Sequence, residues 1–218
     1  MNNIIITPWR QELKFLIPKN KVHNIVALLS AHLNTTALES GEVSTLYFDL
    51  PGDPCFFGKI GGDANKTKLR LRDYGNPKES WLEIKQKEDN VGRKIRFACS
   101  SNDWRESYDH LNASNYGLPA INSPWRESVF IKYHRQSWAN NSIRLTLDQN
   151  FYFARNNHDY CPWWQDMAII EIKAKDINSR AYQILNLYGY SPQAISKFAV
   201  AYSLTRGHVQ SPITLGEV

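Results

Sequence analysis

A period of two, with cations as its polar half, constrains this chain more than any other feature. In Lys68-Leu69-Arg70-Leu71-Arg72 every second residue is a cation and leucines fill the gaps. Ser142-Ile143-Arg144-Leu145-Thr146-Leu147-Asp148, Trp81-Leu82-Glu83-Ile84-Lys85, Ile170-Glu171-Ile172-Lys173-Ala174 and Arg10-Gln11-Glu12-Leu13-Lys14-Phe15 repeat the pattern, and Tyr133 and Arg135 share one face of residues 129–135. Side chains alternate across a β-strand, so each segment is a strand with one charged and one apolar face. A single strand of this kind is the wet side of an ordinary antiparallel sheet. The set is different, because its polar faces hold Lys and Arg with isolated Glu and few Thr, Ser or Gln. Glu-x-Lys recurs at Glu12/Lys14, Glu83/Lys85 and Glu171/Lys173. Like charges on neighbouring strands repel, so a surface this cationic needs a polyanion to neutralise it. The carboxylates among the cations suit a divalent metal with oxygen ligands. The expected arrangement is a sheet curled with its charged face inward and its apolar face against surrounding helices.

Eight strands are expected, at about 9–17, 43–50, 67–74, 80–88, 92–98, 128–137, 142–151 and 167–174. Pro18 opens a helix whose Val22, Ile25, Val26 and Leu29 form one stripe, and Asp103-Trp104-Arg105-Glu106 reads as a capping box for a short helix over about 104–112. Ala181, Ile184, Leu185 and Tyr188 make a third stripe, ended by Gly189; Ile195, Phe198, Ala199 and Tyr202 make a fourth, ended near Gly207. All four read as packing faces that cover the outside of the sheet. Residues 51–66, 113–127 and 154–166 are rich in turn formers and read as long loops. No repeat, low-complexity tract or linker divides the 218 residues, so one domain is expected, with its core at about 9–204.

Composition narrows the class. With 26 Lys and Arg against 21 Asp and Glu the formal charge is +5, which favours an anionic partner. No run approaches the ~20 apolar residues of a membrane span, and the first residues lack the basic start of a signal peptide. Cys55, Cys99 and Cys161 are odd in number and contain no C-x-x-C pair, so a reducing, cytoplasmic setting fits better than a disulfide scaffold. The six histidines form no H-E-x-x-H pattern, and neither G-x-S-x-G, G-x-G-x-x-G nor a P-loop is present. Glu interleaved with the cations argues against a nucleic-acid groove, where carboxylates would face phosphates.

Taken in order, these segments resemble a known family. Residues 9–15, Ser44-Thr45-Leu46-Tyr47-Phe48-Asp49, residues 68–74, Trp81-Leu82-Glu83-Ile84-Lys85-Gln86-Lys87 and Arg93-Lys94-Ile95-Arg96 are similar to the polyphosphate polymerase domain of the vacuolar transporter chaperone family. Lys132-Tyr133-His134-Arg135, residues 143–148, residues 170–173 and Ser196-Lys197-Phe198 continue the resemblance, which runs from about residue 9 to residue 204. It implies the fold of the triphosphate tunnel metalloenzymes: α+β, an eight-stranded antiparallel closed β-barrel with a charged interior and helices packed outside. It implies transfer of the ATP γ-phosphoryl group to a growing inorganic polyphosphate chain, with Mn²⁺ or Mg²⁺ as cofactor and a separate membrane partner for any export. Where tunnel enzymes often begin Glu-x-Glu-x-Lys, this chain has Arg10, giving Arg-x-Glu-x-Lys, which favours the polymerase branch over a two-metal hydrolase.

Under that resemblance Arg70, Arg72, Lys85, Arg135, Arg144 and Lys197 clamp successive phosphates, a task suited to the bidentate Arg fork. Lys14 and Lys94 bind further phosphates, with Arg93 as the alternative to Lys94, while Tyr133 and Ser196 donate hydroxyl hydrogen bonds. Glu171 is the first choice of metal ligand. Glu12 and Glu83 either support a metal or hold Lys14 and Lys85 in place. Asp49 and Asp148 read first as turn formers, with ion pairing or ligation as alternatives. A triphosphate hydrolase and a non-catalytic polyphosphate-binding module are the competing functions.

Overall fold

Every strand pairing in the computed structural model is antiparallel, and the pairings close on themselves. The structure describes residues 4–75, 80–99, 104–110, 125–155, 158–175 and 179–206. Eight strands form the ring: β2 (Arg10–Pro18), β3 (Thr36–Asp49), β4 (Lys66–Asp73), β5 (Ser80–Glu88), β6 (Val91–Cys99), β7 (Arg126–Ala139), β8 (Ile143–Arg155) and β10 (Met167–Ala174). Their order is β6-β2-β10-β8-β7-β3-β4-β5, and β5 pairs back to β6. These are the eight strands the alternation predicts. A short strand, β1 (Ile4–Ile6), strengthens the seam, because it extends β2 along β6. Between the two, Thr7-Pro8-Trp9 bulge past Arg93 and Lys94, and Thr7 N and Oγ1 exchange 2.8 Å hydrogen bonds with Lys94 O and N.

The apolar faces of the strands point outward and are covered by helices on two sides. Phe15 and Ile17 of β2, Ile143, Leu145 and Leu147 of β8, and Ile170 and Ile172 of β10 pack under α1 (Lys19–Leu33) and α4 (Arg180–Leu187). Leu69 and Leu71 of β4, Leu82 and Ile84 of β5, and Ile95 and Phe97 of β6 pack under α3 (Trp104–His110). These burials dominate the folding free energy, at roughly 25 cal/mol per Å² of apolar surface removed from water.

Three expectations are corrected. Residues 154–166, read as a loop, contain β9 (His158–Trp163), which pairs with β8 alone. Here β8 runs past its expected end at about 151 to Arg155, and within it Asn150 has a φ of 58°, which suits the small polar residue that stands there. Residues 51–66 contain α2 (Pro54–Ile60), with Pro54 at its first position. Asp49 accepts from the backbone N–H groups of Leu50, Cys55 and Phe56 at 2.8–3.1 Å, so the turn-forming reading of that residue holds. The third correction concerns α5 (Lys197–Thr205), expected on the outside. It packs instead on residues that share the inward face with the charged side chains: Val43 and Tyr47, Ile131 and Tyr133, Phe151 and Phe153, and Ile169. Phe198 lies 5.0 Å from the Tyr47 ring, and Tyr202 stacks at 3.8 Å on Phe56 of α2. Phe198 through Ser203 are buried on every side of the helix, as an enclosed helix requires. The ring interior therefore has an apolar zone plugged by α5 and a charged zone beside it. The expected helix end at Gly207, the capping residue Asp103 and most of the loop at 113–127 lie outside the described residues.

Candidate functional site

The charged zone encloses a cavity of about 490 Å³. Arg10, Lys14, Lys59, Lys66, Lys68, Arg70, Arg72, Lys85, Lys87, Arg93, Lys94, Arg135, Lys173 and Lys197 line it, against the carboxylates of Glu12, Asp63, Asp89 and Glu171. Period-two alternation places these groups here. In β4, Lys66, Lys68, Arg70 and Arg72 share the inward face, and Leu69 and Leu71 point away. The last cation arrives differently: α5 begins at Lys197, and Ser196 caps it by accepting from Ala199 N at 3.3 Å.

Four carboxylates organise the wall, and each is held by two or more cations, at least one of them from another element. Glu83, wholly buried, accepts from Arg70 Nε at 2.9 Å and Nη2 at 2.6 Å, and has Arg72, Lys94 and Arg96 within 3.6, 3.4 and 3.4 Å. Glu12 binds Lys14 at 2.8 Å and Lys85 at 3.1 Å. Glu171 binds Lys173 at 2.9 Å and Lys197 at 2.7 Å. Asp148 takes both Arg135 Nε and Nη2 at 2.6 Å and Lys197 at 2.6 Å. Burial alone would raise the pKa of each, but the surrounding cations win: Glu12, Glu83 and Glu171 sit well below the usual range and Asp148 below it.

The lysines divide into two kinds. Burial opposes the charge of Lys14 and Lys197, but Glu12 and Glu171 for the first, and Asp148 and Glu171 for the second, raise both. Lys68 makes no ion pair with a described residue; its ammonium lies 3.2 Å from Ser196 Oγ and 4.8 Å from the centre of the Phe198 ring. Burial first, then Lys85, Lys14 and Lys59, hold its pKa well below the ordinary value. Lys85 is pushed down to about 8 by burial, with Glu12 opposing and Lys14 and Arg70 adding repulsion. An anion bound at this part of the wall would favour the charged form of both lysines.

A pH dependence of two opposite signs follows. An unfolded lysine titrates near ~10.4, so between about pH 8 and 10 the unfolded chain binds more protons at Lys85 than the folded chain. Stability of the ligand-free protein therefore rises with pH across that window. Anion affinity falls over the same window, as Lys85 loses its charge. Melting curves and tripolyphosphate titrations at pH 7.5 and 9.5 should move in opposite directions; melting temperature and affinity that both stay flat would remove Lys85 from the titration.

Of the residues singled out from sequence, Lys14, Arg70, Arg72, Lys85, Lys94, Tyr133, Arg135, Ser196, Lys197, Glu12 and Glu171 all line the cavity, as does Arg93. Arg144 and Glu83 are not among the described residues that line it. Arg144 lies on the same face beyond the cavity wall, close enough to Arg10 to lower its pKa after burial has done so. Glu83 is corrected twice. It holds Arg70, Arg72, Lys94 and Arg96 instead of Lys85, and it stands behind these cations instead of among the described residues that line the cavity. Asp148 is corrected from turn former to ion-pair partner, because β8 continues seven residues past it and its side chain is fully buried among cations. Lys68 and Lys173 were missed although their strand faces marked them; Lys59 had no signal, because its helix was read as a loop.

Among the described residues no group of three or more His, Cys, Asp or Glu is placed to hold a metal by itself. Glu171 and Glu12 do face the cavity from neighbouring strands, β10 and β2, where Glu171 pairs with Lys14 and Lys173 with Glu12. That donor set fits a hard cation which takes one or two carboxylates and fills its remaining positions with phosphate oxygens. No helix among the described residues is long and apolar enough to cross a membrane.

Three solved structures are similar to this chain in fold. A protein from Hippeastrum, described as an adenylyl cyclase with a dominant triphosphatase activity, superposes with a TM-score of 0.55 at 15% identity over 90% of this chain and 96% of its own. A protein from Pyrococcus horikoshii gives 0.52 at 14% identity over 88% and 96%. A protein from Bacillus halodurans named as an adenylate cyclase gives 0.51 at 13% over 84% and 91%. At these identities the likeness is one of fold. By sequence, no curated protein matches the chain. The model of the VTC domain, however, matches residues 9–206, nearly the whole length over which the charged strands and α5 build the cavity. The chain belongs to the VTC domain family.

Proposed function

We propose that this chain transfers the γ-phosphoryl group of ATP to the end of an inorganic polyphosphate chain held in the cavity. The observation that carries the proposal is the lining itself: among the described residues, fourteen Lys and Arg side chains stand against four carboxylates around one cavity. A substrate that neutralises such a wall must carry several negative charges at short spacing, as linked phosphates do.

Phosphoryl transfer asks for positioning and charge stabilisation more than for covalent chemistry. Arg70 and Arg72, both almost wholly buried, project from β4 with Glu83 holding them from one side. Arg70 Nη1 also donates to Tyr47 Oη at 2.9 Å, and Arg72 Nε to Thr45 Oγ1 at 3.1 Å. Their forks are thus fixed before substrate arrives, which lowers the ordering cost of binding. Arg135 of β7 and Lys197 of α5 line the same cavity, so donor and acceptor phosphates can be gripped from more than one element. In the reaction the terminal oxygen of the acceptor chain bonds to the γ-phosphorus, and the bond to the bridging oxygen breaks. ADP leaves with that electron pair. The acceptor oxygen is already anionic, so no side chain need remove a proton. Glu171, with Glu12, would hold Mn²⁺ or Mg²⁺, which neutralises phosphate charge when bound. Burial by α5 excludes water from one side of the cavity, which favours transfer to phosphate over hydrolysis.

The triphosphatase description of the Hippeastrum protein favours a second reading, hydrolysis of triphosphate in the same cavity. Purified protein with ATP and Mn²⁺ separates them. Under the proposal an acid-stable phosphate ladder lengthens with time as ADP accumulates. Free phosphate from tripolyphosphate without any ladder would establish the hydrolase instead, and salt-sensitive binding without turnover would leave a binding module.

A further inference from the structure

Asp148, like Glu83, is a fully buried acid that grips cavity cations from two other elements without lining the cavity among the described residues; its two cations, unlike those of Glu83, are shared with a carboxylate that does line it. Arg135 of β7 gives it a two-pronged contact at 2.6 Å per prong, and Lys197 of α5 approaches its Oδ2 at 2.6 Å. The same two cations also meet Glu171, at 3.7 and 2.7 Å, but Glu171 lines the cavity. The two carboxylates are therefore unequal. A phosphate entering the cavity competes with Glu171 for Arg135 and Lys197, whereas Asp148 is screened from it by the cations themselves. A fork-to-carboxylate contact fixes the plane of a guanidinium as well as its place.

We propose that Asp148 is a positioning residue: it anchors Arg135 and Lys197 from behind the wall, so both keep their places when phosphate draws them away from Glu171. The proposal rests on the reading of the cavity as a phosphate site. Its signature is a sign. Deleting a negative charge near an anion site tightens binding by itself, so weaker binding after loss of this charge reports lost geometry.

The test is calorimetric titration of sodium tripolyphosphate, without metal and at low salt, into the full chain. Asp148→Asn is expected to weaken binding about tenfold, against a change of under about twofold in an Arg135→Ala/Lys197→Ala background, where nothing remains to position. Unchanged or tighter binding in the otherwise native chain, or equal weakening in both backgrounds, would overturn the anchoring role. Should Asp148→Asn fail to fold, Asp148→Glu serves: its extra methylene displaces both cations at constant charge, with about threefold weaker binding expected only where Arg135 and Lys197 are present. An unchanged affinity there overturns the role as well. Absence of tripolyphosphate binding by the unaltered chain would instead overturn the phosphate reading, and the anchoring role with it.

Discussion

Under the proposed reaction Lys197→Ala is expected to lower turnover by about 10²–10³-fold, the scale for deletion of a preorganised charge partner of the reacting groups. Lys197 stands where three constraints meet. It opens α5, it lies 2.6 Å from Asp148 and 2.7 Å from Glu171, and its ammonium sits 5.1 Å from the centre of the Tyr133 ring. Its replacement would remove one of the proposed phosphate contacts and leave two buried carboxylates facing a gap they shared. Both keep other partners, Arg135 for Asp148 and Lys173 for Glu171, so the chain stays folded. Single-turnover measurement of phosphoryl transfer, with the melting temperature recorded alongside, checks this. A folded variant that turns over at the native rate would remove Lys197 from the reaction. Arg72→Ala and Arg135→Ala belong to the same class of loss, each deleting a planar phosphate grip.

The largest expected effect on stability belongs to a residue outside the cavity lining. Glu83→Gln should destabilise the fold by about 3–5 kcal/mol, because breaking a buried ion pair leaves uncompensated charge behind. Here four cations, Arg70, Arg72, Lys94 and Arg96, depend on one carboxylate of 0% exposure. For a domain of this length that loss lowers the melting temperature by roughly 6–20 °C. Tripolyphosphate should restore part of it, since an anion in the cavity supplies the missing counter-charge and binds only the folded state. Differential scanning calorimetry with and without the anion gives both readings. A melting temperature within a degree of the native chain would show that the cations relax into solvent without Glu83.

Much of the fold was legible because β-strand alternation is a local property. Leu69 and Leu71 against Arg70 and Arg72 fix two faces without knowledge of any neighbour, and Glu171-x-Lys173 does the same in β10. The same logic, applied to Lys68 and Lys173, would have added both to the site, as their faces place them in the cavity. Where the pattern weakened, so did the reading. Phe151-Tyr152-Phe153 does not alternate by polarity, so the continuation of β8 and its pairing with β9 left no trace beyond aromatic content. Asp53-Pro54 carried the start of α2, yet Asp53 adopts a φ of 54° and the helix is only seven residues long, which resembles a turn in sequence.

By itself the sequence determined that most of the ring strands, β3 excepted, carry cations on one face and apolar residues on the other, and that the charged faces need an anion. Those conclusions follow from a period of two and from Coulomb repulsion, which require only neighbours along the chain. Tertiary structure alone decided which cation each carboxylate serves. Glu83 and Lys85 share a strand face, but ring closure and register deliver Arg70, Arg72, Lys94 and Arg96 to Glu83, and Lys85 to Glu12. It also decided that α5 lies inside the ring, because an apolar stripe shows that a helix is buried and not against which face. Asp148 gained its partners in two ways: Arg135, thirteen residues before it, stands directly across the β7–β8 pairing, and Lys197 arrives from a helix that begins 49 residues after it and lies inside the ring.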